Sequence, residues 1–261
     1  MASKDEVFQH IYELAAQDDD VMGLFLSGSR GKKFANQFSD YDIRIVFKND
    51  VNITQASSTY SKFTKKQAID IILFSLSQLQ TYAEFGSANA WDRYSFTHVE
   101  ALIDKDGTLQ PLIDTKGKVP PEQRHEYIIT CLDTLINSCI RSLKCHRIDD
   151  TLGAKLEASG GILHLFNVVF GLEGRHAPFL SYLTRELTHY PLEAFPLASD
   201  ELLTHITRIV DTGSITSQQH LMHHIEVCCK DVGLAHIFEA WQDDWPWFLN
   251  YRSQTTKPDC L

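Results

Sequence analysis

The absences narrow the field first. No cysteine occurs in the first 130 residues, and the six that follow (Cys131, Cys139, Cys145, Cys228, Cys229, Cys260) form no CxxC pair. This excludes a disulfide framework and a zinc ribbon, and the thiols read as reduced core and surface groups. No apolar run approaches the ~18 residues a membrane span needs. The opening "MASKDEVFQH" lacks an apolar signal region. The expectation is a cytoplasmic chain with no membrane partner. A basic excess is also missing. The formal charge is -10, with 13 Lys/Arg against 16 Asp/Glu in residues 1–120 and 11 against 18 in residues 121–261. A chain this acidic is a poor fit for nucleic acid, which selects a basic face. The surplus of acid in the second half suits a cationic partner, although acidity alone also serves solubility. Repeats and low-complexity tracts are absent too.

The 261 residues suffice for one large domain or two medium ones. Ser3 and Glu6 have capping-box spacing ahead of "VFQHIYELAA" and predict a first helix. "VMGLFLS", "SDYDIRIVF" and "QAIDIILF" read as strands, with "KKFANQF" holding a helical turn and "TQASSTYSKF" and "LSQLQTYAEF" as helices. "VEALIDKDG" reads as a strand ending at Asp106-Gly107. After Pro120-Pro121 the pattern changes. Apolar residues recur at helical spacing (Ile128, Leu132, Leu135, Ile136, Cys139, Leu143), with Pro121 suited to a helix's first position. A second helix covers "TLGAKLEASGGILHLFNVVFGLEG", with Gly174 as its cap and Gly160-Gly161 as a weak or closely packed point. The predicted fold class is α+β: a mixed sheet with flanking helices in residues 1–118, then an all-helical bundle in residues 119–261.

The most informative stretch is "FLSGSRGKKFANQFSDYDIRIVF", Phe25 to Phe47. Gly28 to Gly31 read as a tight turn after an apolar strand. Strand side chains alternate, so Asp40, Asp42 and Arg44 are expected on one face. Two carboxylates that close repel each other unless a cation lies between them. Mg²⁺ suits the place, because it takes oxygen ligands and joins carboxylates to a nucleotide's phosphates. Asp70, the sole acid in "AIDIILF", can converge on the pair if its strand lies alongside. The glycine turn would bring backbone N–H groups and the Ser29 hydroxyl to phosphates, and a helix starting just after it would add a positive dipole end. Arg30 and Arg44 are candidate phosphate partners.

Gly28-Ser29, then Ser39-Asp40-Tyr41-Asp42 on a strand, then a lone Asp70 on a later strand, resembles the polymerase-β-type nucleotidyltransferase superfamily. The layout is similar to that of the aminoglycoside and lincosamide nucleotidyltransferases, with a small α/β domain followed by a helical one. "ALIDKDGTLQPLI" also resembles the segment that follows the third acid in such proteins. The resemblance implies in-line attack by an acceptor hydroxyl on the α-phosphorus of ATP or another nucleoside triphosphate, with loss of pyrophosphate. Asp40, Asp42 and Asp70 would hold two Mg²⁺ ions, and Gly28, Ser29, Arg30, Ser39 and Arg44 would bind the nucleotide. The general base would be Asp70 or, from the helical half, Glu157. The acceptor would be a small, cationic, aminoglycoside-like molecule. A protein hydroxyl is the second reading, and a non-catalytic nucleotide-binding module the third.

Other features invite plainer readings. Asp104 and Asp106 read as turn formers. His220 and His224 have the i, i+4 spacing of a metal pair, but no HExxH accompanies them, and they read as surface or packing histidines. "AWQDDWPWFLNY" reads as a tail packed on the bundle. Asp92, in "WDRYSF", is a candidate to meet a cationic group of the acceptor if that segment faces the cleft.

Overall fold

Helix α1 (Lys4–Gln17) starts at a complete capping box: Ser3 Oγ accepts from the Glu6 N–H, and Glu6 accepts from the Ser3 N–H. The computed structural model describes residues 3–64 and 68–252; Gln67 of the expected third strand and Cys260 lie outside them. Strands β1 (Val21–Leu26), β2 (Tyr41–Phe47), β3 (Ile69–Ser75) and β4 (Ala101–Asp104) form one sheet in the order β3-β2-β1-β4. β1 runs antiparallel to β2 and β4, and β2 runs parallel to β3. A parallel pair needs a crossover, which α3 (Ile53–Thr64) supplies. α2 (Gly28–Gly31) lies between β1 and β2. α4 (Leu76–Thr81) follows β3 behind a second capping box at Ser75 and Gln78, and α5 (Leu109–Lys116) follows β4.

The period-2 pattern divides the sheet faces as the physics of a pleated strand requires. Tyr41, Ile43, Ile45 and Phe47 join Ile11, Ala15 and Tyr60 of α1 and α3 in one core cluster. Val46 and Phe74 face the other way, into a cluster with Leu79, Phe96, Leu109 and Ile113. Asp42, Arg44 and Asp70 share this second face by register. Asp104 accepts from the Leu109 and Gln110 N–H groups at the start of α5, and Asp106 accepts from Thr108, so both form turns as read.

Three local expectations are corrected. "GSRG" is a single helical turn, not a tight turn preceding a helix. "KKFANQF" holds no helix, and Lys33 there takes a positive φ of 63°. The helix expected over "LSQLQTYAEF" stops at Thr81, since Tyr82 is extended and Ala83 has φ 53°.

Three buried cations, unforeseen in the sequence, organise the segment between α4 and β4. Lys32 Nζ donates to the Tyr94 and Thr97 carbonyls, both at 2.6 Å. Arg93 donates to the Ala83, Thr115 and Lys118 carbonyls. Lys116 donates to the Gln80 and Tyr82 carbonyls, and burial brings its pKa down to about 8. These contacts fix a short 3-10 segment, Ala90–Phe96, whose residues Asp92 to Phe96 are buried while Trp91 is exposed. Lys32→Met should remove this donor from both carbonyls; the Tyr94 carbonyl keeps the Thr97 N–H at 3.0 Å, so the expected cost is the about 1–3 kcal/mol of one stranded acceptor, the Thr97 carbonyl. Chemical denaturation would register the loss; a midpoint equal to wild type would show that these carbonyls do not depend on Lys32.

The chain divides into two compact units that meet at Pro120 and Pro121. The second unit is helical: α6 (Arg124–Arg147), α7 (Thr151–Gly171), α8 (Leu183–His189), α9 (Ser199–Thr212), α10 (Ile215–Asp231), α11 (Ala235–Glu239) and α12 (Asp244–Asn250). Ile128, Leu132, Leu135, Ile136, Cys139 and Leu143 are the buried stripe of α6. Pro121 begins a 3-10 turn (Pro121–Gln123) ahead of that helix. A Cβ on Gly161 would come within 3.1 Å of Ser138 and 3.3 Å of Leu135, so this glycine lets α7 press closely on α6. α7 ends at Gly171, and Gly174 takes φ 71° in the turn beyond. The Trp-rich tail packs as read, with Trp245 and Phe248 buried and the Trp245 indole N–H donating to Glu226. Among the described residues, no helix is long and apolar enough to cross a membrane.

Candidate active site

Register alone brings two acids together. Asp42 stands opposite Asp70 in the parallel β2–β3 ladder, and neighbouring strands lie about 4.8 Å apart. Asp40 sits one residue before β2 begins, exposed, at the mouth of the same place. Four neighbouring charges are felt at Asp42, whose carboxyl is held above the ordinary carboxylate range. Burial is the largest cause, then the charge of Asp40; Arg44 pulls the value back, and Asp70 and Asp92 push it up again.

The first glycine of α2 is what admits the Asp42 carboxylate. Gly28 has φ 58°, and a Cβ built on it would lie 1.8 Å from Asp42 Oδ2. The acid therefore rests against bare backbone. Gly31 is constrained differently: its Cβ would meet the Leu26 carbonyl oxygen at 2.0 Å. The Ser27 N–H donates to the Asp42 carbonyl at 2.9 Å and ties the start of α2 to β2.

The loop from α2 to β2 is held by side chains that the sequence reading had assigned to a nucleotide. Ser29 Oγ donates to Ser39 Oγ at 2.9 Å, and the Asn36 N–H donates to that same Ser39 oxygen. Arg30 donates to the Asp40 and Ser39 carbonyls and stacks on the Tyr41 ring at 3.8 Å. In this arrangement Ser29, Arg30 and Ser39 present Asp40 rather than reach outward. Three further residues complete the clamp and were missed. Lys4 Nζ donates to the Ser39 carbonyl at 2.6 Å, and the Tyr41 hydroxyl donates to Asp5 at 2.7 Å. Burial and that bond push the Tyr41 hydroxyl up to about 12. Only the position of Lys4 and Asp5 in the first turn of α1 hinted at this.

Arg44, expected as a phosphate partner, pairs with Asp70 at 3.3 Å, with side chains 12% and 59% exposed. Asp92 departs from expectation. It is 6% exposed, and its oxygens accept from the Tyr82 hydroxyl (2.8 Å) and Ser95 Oγ (2.5 Å), so it presents no open face to an acceptor. It acts at a distance, as one of the charges felt at Asp42. Glu157, on α7, is paired with Arg141 of α6 at 2.6 Å.

The donor set fits Mg²⁺. It consists of hard carboxylate oxygens, partly desolvated and mutually repelling, with one of them pressed against a glycine whose missing Cβ leaves room. Residues 1–63 match the streptomycin adenylyltransferase family; the match includes Gly28, Ser29, Asp40 and Asp42 and ends before Asp70. No curated protein sequence matches the chain. Among solved structures, a nucleotidyltransferase-like protein from Exiguobacterium sibiricum 255-15 is similar at 11% identity and a TM-score of 0.41, over 95% of this chain and 78% of that one.

Proposed function

We propose, from the match of residues 1–63 to the streptomycin adenylyltransferase family, that this chain is a nucleotidyltransferase that moves AMP from ATP onto a hydroxyl of a small cationic acceptor of the aminoglycoside kind. Pyrophosphate is the second product. The reading assigns catalysis to the first unit and acceptor binding to the second, whose acid excess favours a cation. The observation that carries it is the pairing of Asp42 with Asp70 across β2 and β3, with Asp42 seated on Gly28.

Mg²⁺ held by Asp40, Asp42 and Asp70 would supply Lewis acidity and neutralise charge on the triphosphate. The chain's own residues do the rest. Gly28 gives the Asp42 carboxylate its seat. Arg44 sets a fixed positive charge among the acids, next to Asp70. Asp70, more than half exposed, receives the proton of the attacking hydroxyl; each candidate base is ion-paired, Asp70 with Arg44 and Glu157 with Arg141, and Asp70 is preferred because it stands opposite Asp42 in the ladder. Positioning and charge neutralisation supply most of the rate.

Radiolabelled ATP with Mg²⁺, an aminoglycoside and lincosamide panel, and a cell lysate give the test. Label on a small cationic hydroxyl compound is expected. Label on a protein would replace the acceptor class, and nucleotide binding without any transfer would overturn the enzymatic reading.

A further inference from the structure

We propose that the α9–α10 hairpin holds a divalent transition-metal ion of the Zn²⁺ class, ligated by Glu201, His205 and His220. This site is separate from the acid cluster and lies wholly in the helical unit.

The hairpin's geometry assembles it. Gly213, in the left-handed region at φ 67°, ends α9, and Ser214 caps α10, so the two helices meet across two residues. Glu201 and His205 are four apart on α9; His220 and His224 are four apart on α10. The hairpin lays the His205 ring on the His220 ring and puts Glu201 beside His220. One ligand atom from each of Glu201, His205 and His220 lies within 4.8 Å of the others. The His205 and His220 rings stack at 4.3 Å, and the His220 and His224 rings lie 4.9 Å apart.

Independent evidence comes from the ring nitrogens. His205 Nδ1 and His220 Nε2 are shielded from solvent and have no hydrogen-bond partner. A buried polar atom without a hydrogen bond carries a cost; His205 Nδ1 bears it outright, and His220 Nε2 has only its ion-pair contact with Glu201 to offset it, which points to a missing electrophile. His220 Nε2 approaches Glu201 Oε1 at 3.4 Å. Tetrahedral Zn²⁺ with bonds near 2.0–2.1 Å sets its ligands about 3.4 Å apart, so this pair already has the required separation. The remaining closure, from at most 4.8 Å, is within the reach of side-chain rotation. Imidazole must be neutral to ligate. Two imidazoles and a carboxylate form a Zn²⁺ ligand set, leaving the fourth position to water or His224. No HExxH marks this site in the sequence, because its carboxylate, Glu201, lies on α9 and His220 on α10.

The test uses metal-stripped full-length protein with Co²⁺ as the optical probe, in excess Mg²⁺ so that the acid cluster does not compete. One equivalent of Co²⁺ should give the intense visible bands of a four-coordinate site, and one equivalent of Zn²⁺ should displace it. His205→Asn and His220→Asn should each weaken binding by at least the roughly 10- to 100-fold that loss of a supporting bond to a ligand costs. Exposed Glu201→Gln, which disturbs no core, should do likewise, while His223→Ala and Cys228→Ser should bind as wild type does. No stoichiometric band in the wild-type protein would overturn the site, as would binding lost in Cys228→Ser or kept in all three ligand variants.

Discussion

Asp42→Asn is expected to lower nucleotidyl transfer about a thousandfold or more while raising the melting temperature of the metal-free protein. The first effect follows from the chemistry: losing a metal ligand forfeits several kcal/mol of charge stabilisation, and each 1.36 kcal/mol is a factor of ten. The second follows from the electrostatics. Burial and the charge of Asp40 hold the Asp42 carboxyl above the ordinary range, so the folded protein binds that proton more tightly than the unfolded chain does. The stabilisation this brings is complete in acid, below the unfolded carboxyl's pKa. It is lost as pH rises through the raised folded value. At neutral pH the ionised Asp42 therefore strains the fold, and Asn removes the charge without changing the shape that rests on Gly28. The melting advantage of the variant should grow from acid toward neutral pH, and saturating Mg²⁺ should shrink it by stabilising only the wild type. Melts and single-turnover rates across that range decide the matter. Full transfer by Asp42→Asn would remove the acid cluster from the chemistry, and a variant less stable than wild type at neutral pH would refute the stored repulsion.

The parts of this site that were legible in the sequence are those governed by period and register. Alternation in "SDYDIRIVF" set Asp42 and Arg44 on one face, and a β-branched run carrying one acid located Asp70. The stripe from Ile128 to Leu143 marked the buried face of α6 for the same reason. What escaped depended on contacts between segments distant in the chain. "GSRG" can be a turn or a turn of helix, and what decides is that Asp42, 14 residues on, packs against Gly28. Ser29 and Ser39 looked like two phosphate donors because nothing local reveals that they bond each other. Asp92 looked exposed beside Trp91, yet Lys32, Arg93 and Lys116 pin the carbonyls around it and draw the segment inward. Buried cations satisfied by carbonyls leave no periodic trace.

Gly28→Ala should destroy both activity and stability, the reverse of what Asp42→Asn does to the fold. An alanine must adopt φ 58°, which costs about 1–2 kcal/mol for an L-residue. Its Cβ must also displace the Asp42 carboxylate, whose oxygen lies 1.8 Å from that position. Overpacking of this kind costs about 1–3 kcal/mol. The combined loss, roughly 2–5 kcal/mol, should appear as a lower denaturation midpoint, and transfer should fall as far as in Asp42→Asn because the acid leaves its place. Gly107→Ala separates the two causes: Gly107 has φ 76° with nothing within 4 Å of its Cβ position, so that variant carries the backbone strain alone. A double-mutant cycle then isolates the clash. In an Asp42→Ala background the carboxylate is gone, and Gly28→Ala should cost no more than Gly107→Ala does in the wild type. If Gly28→Ala is equally damaging with and without Asp42, the glycine serves some other contact, and the seating of Asp42 on bare backbone is not what the position requires.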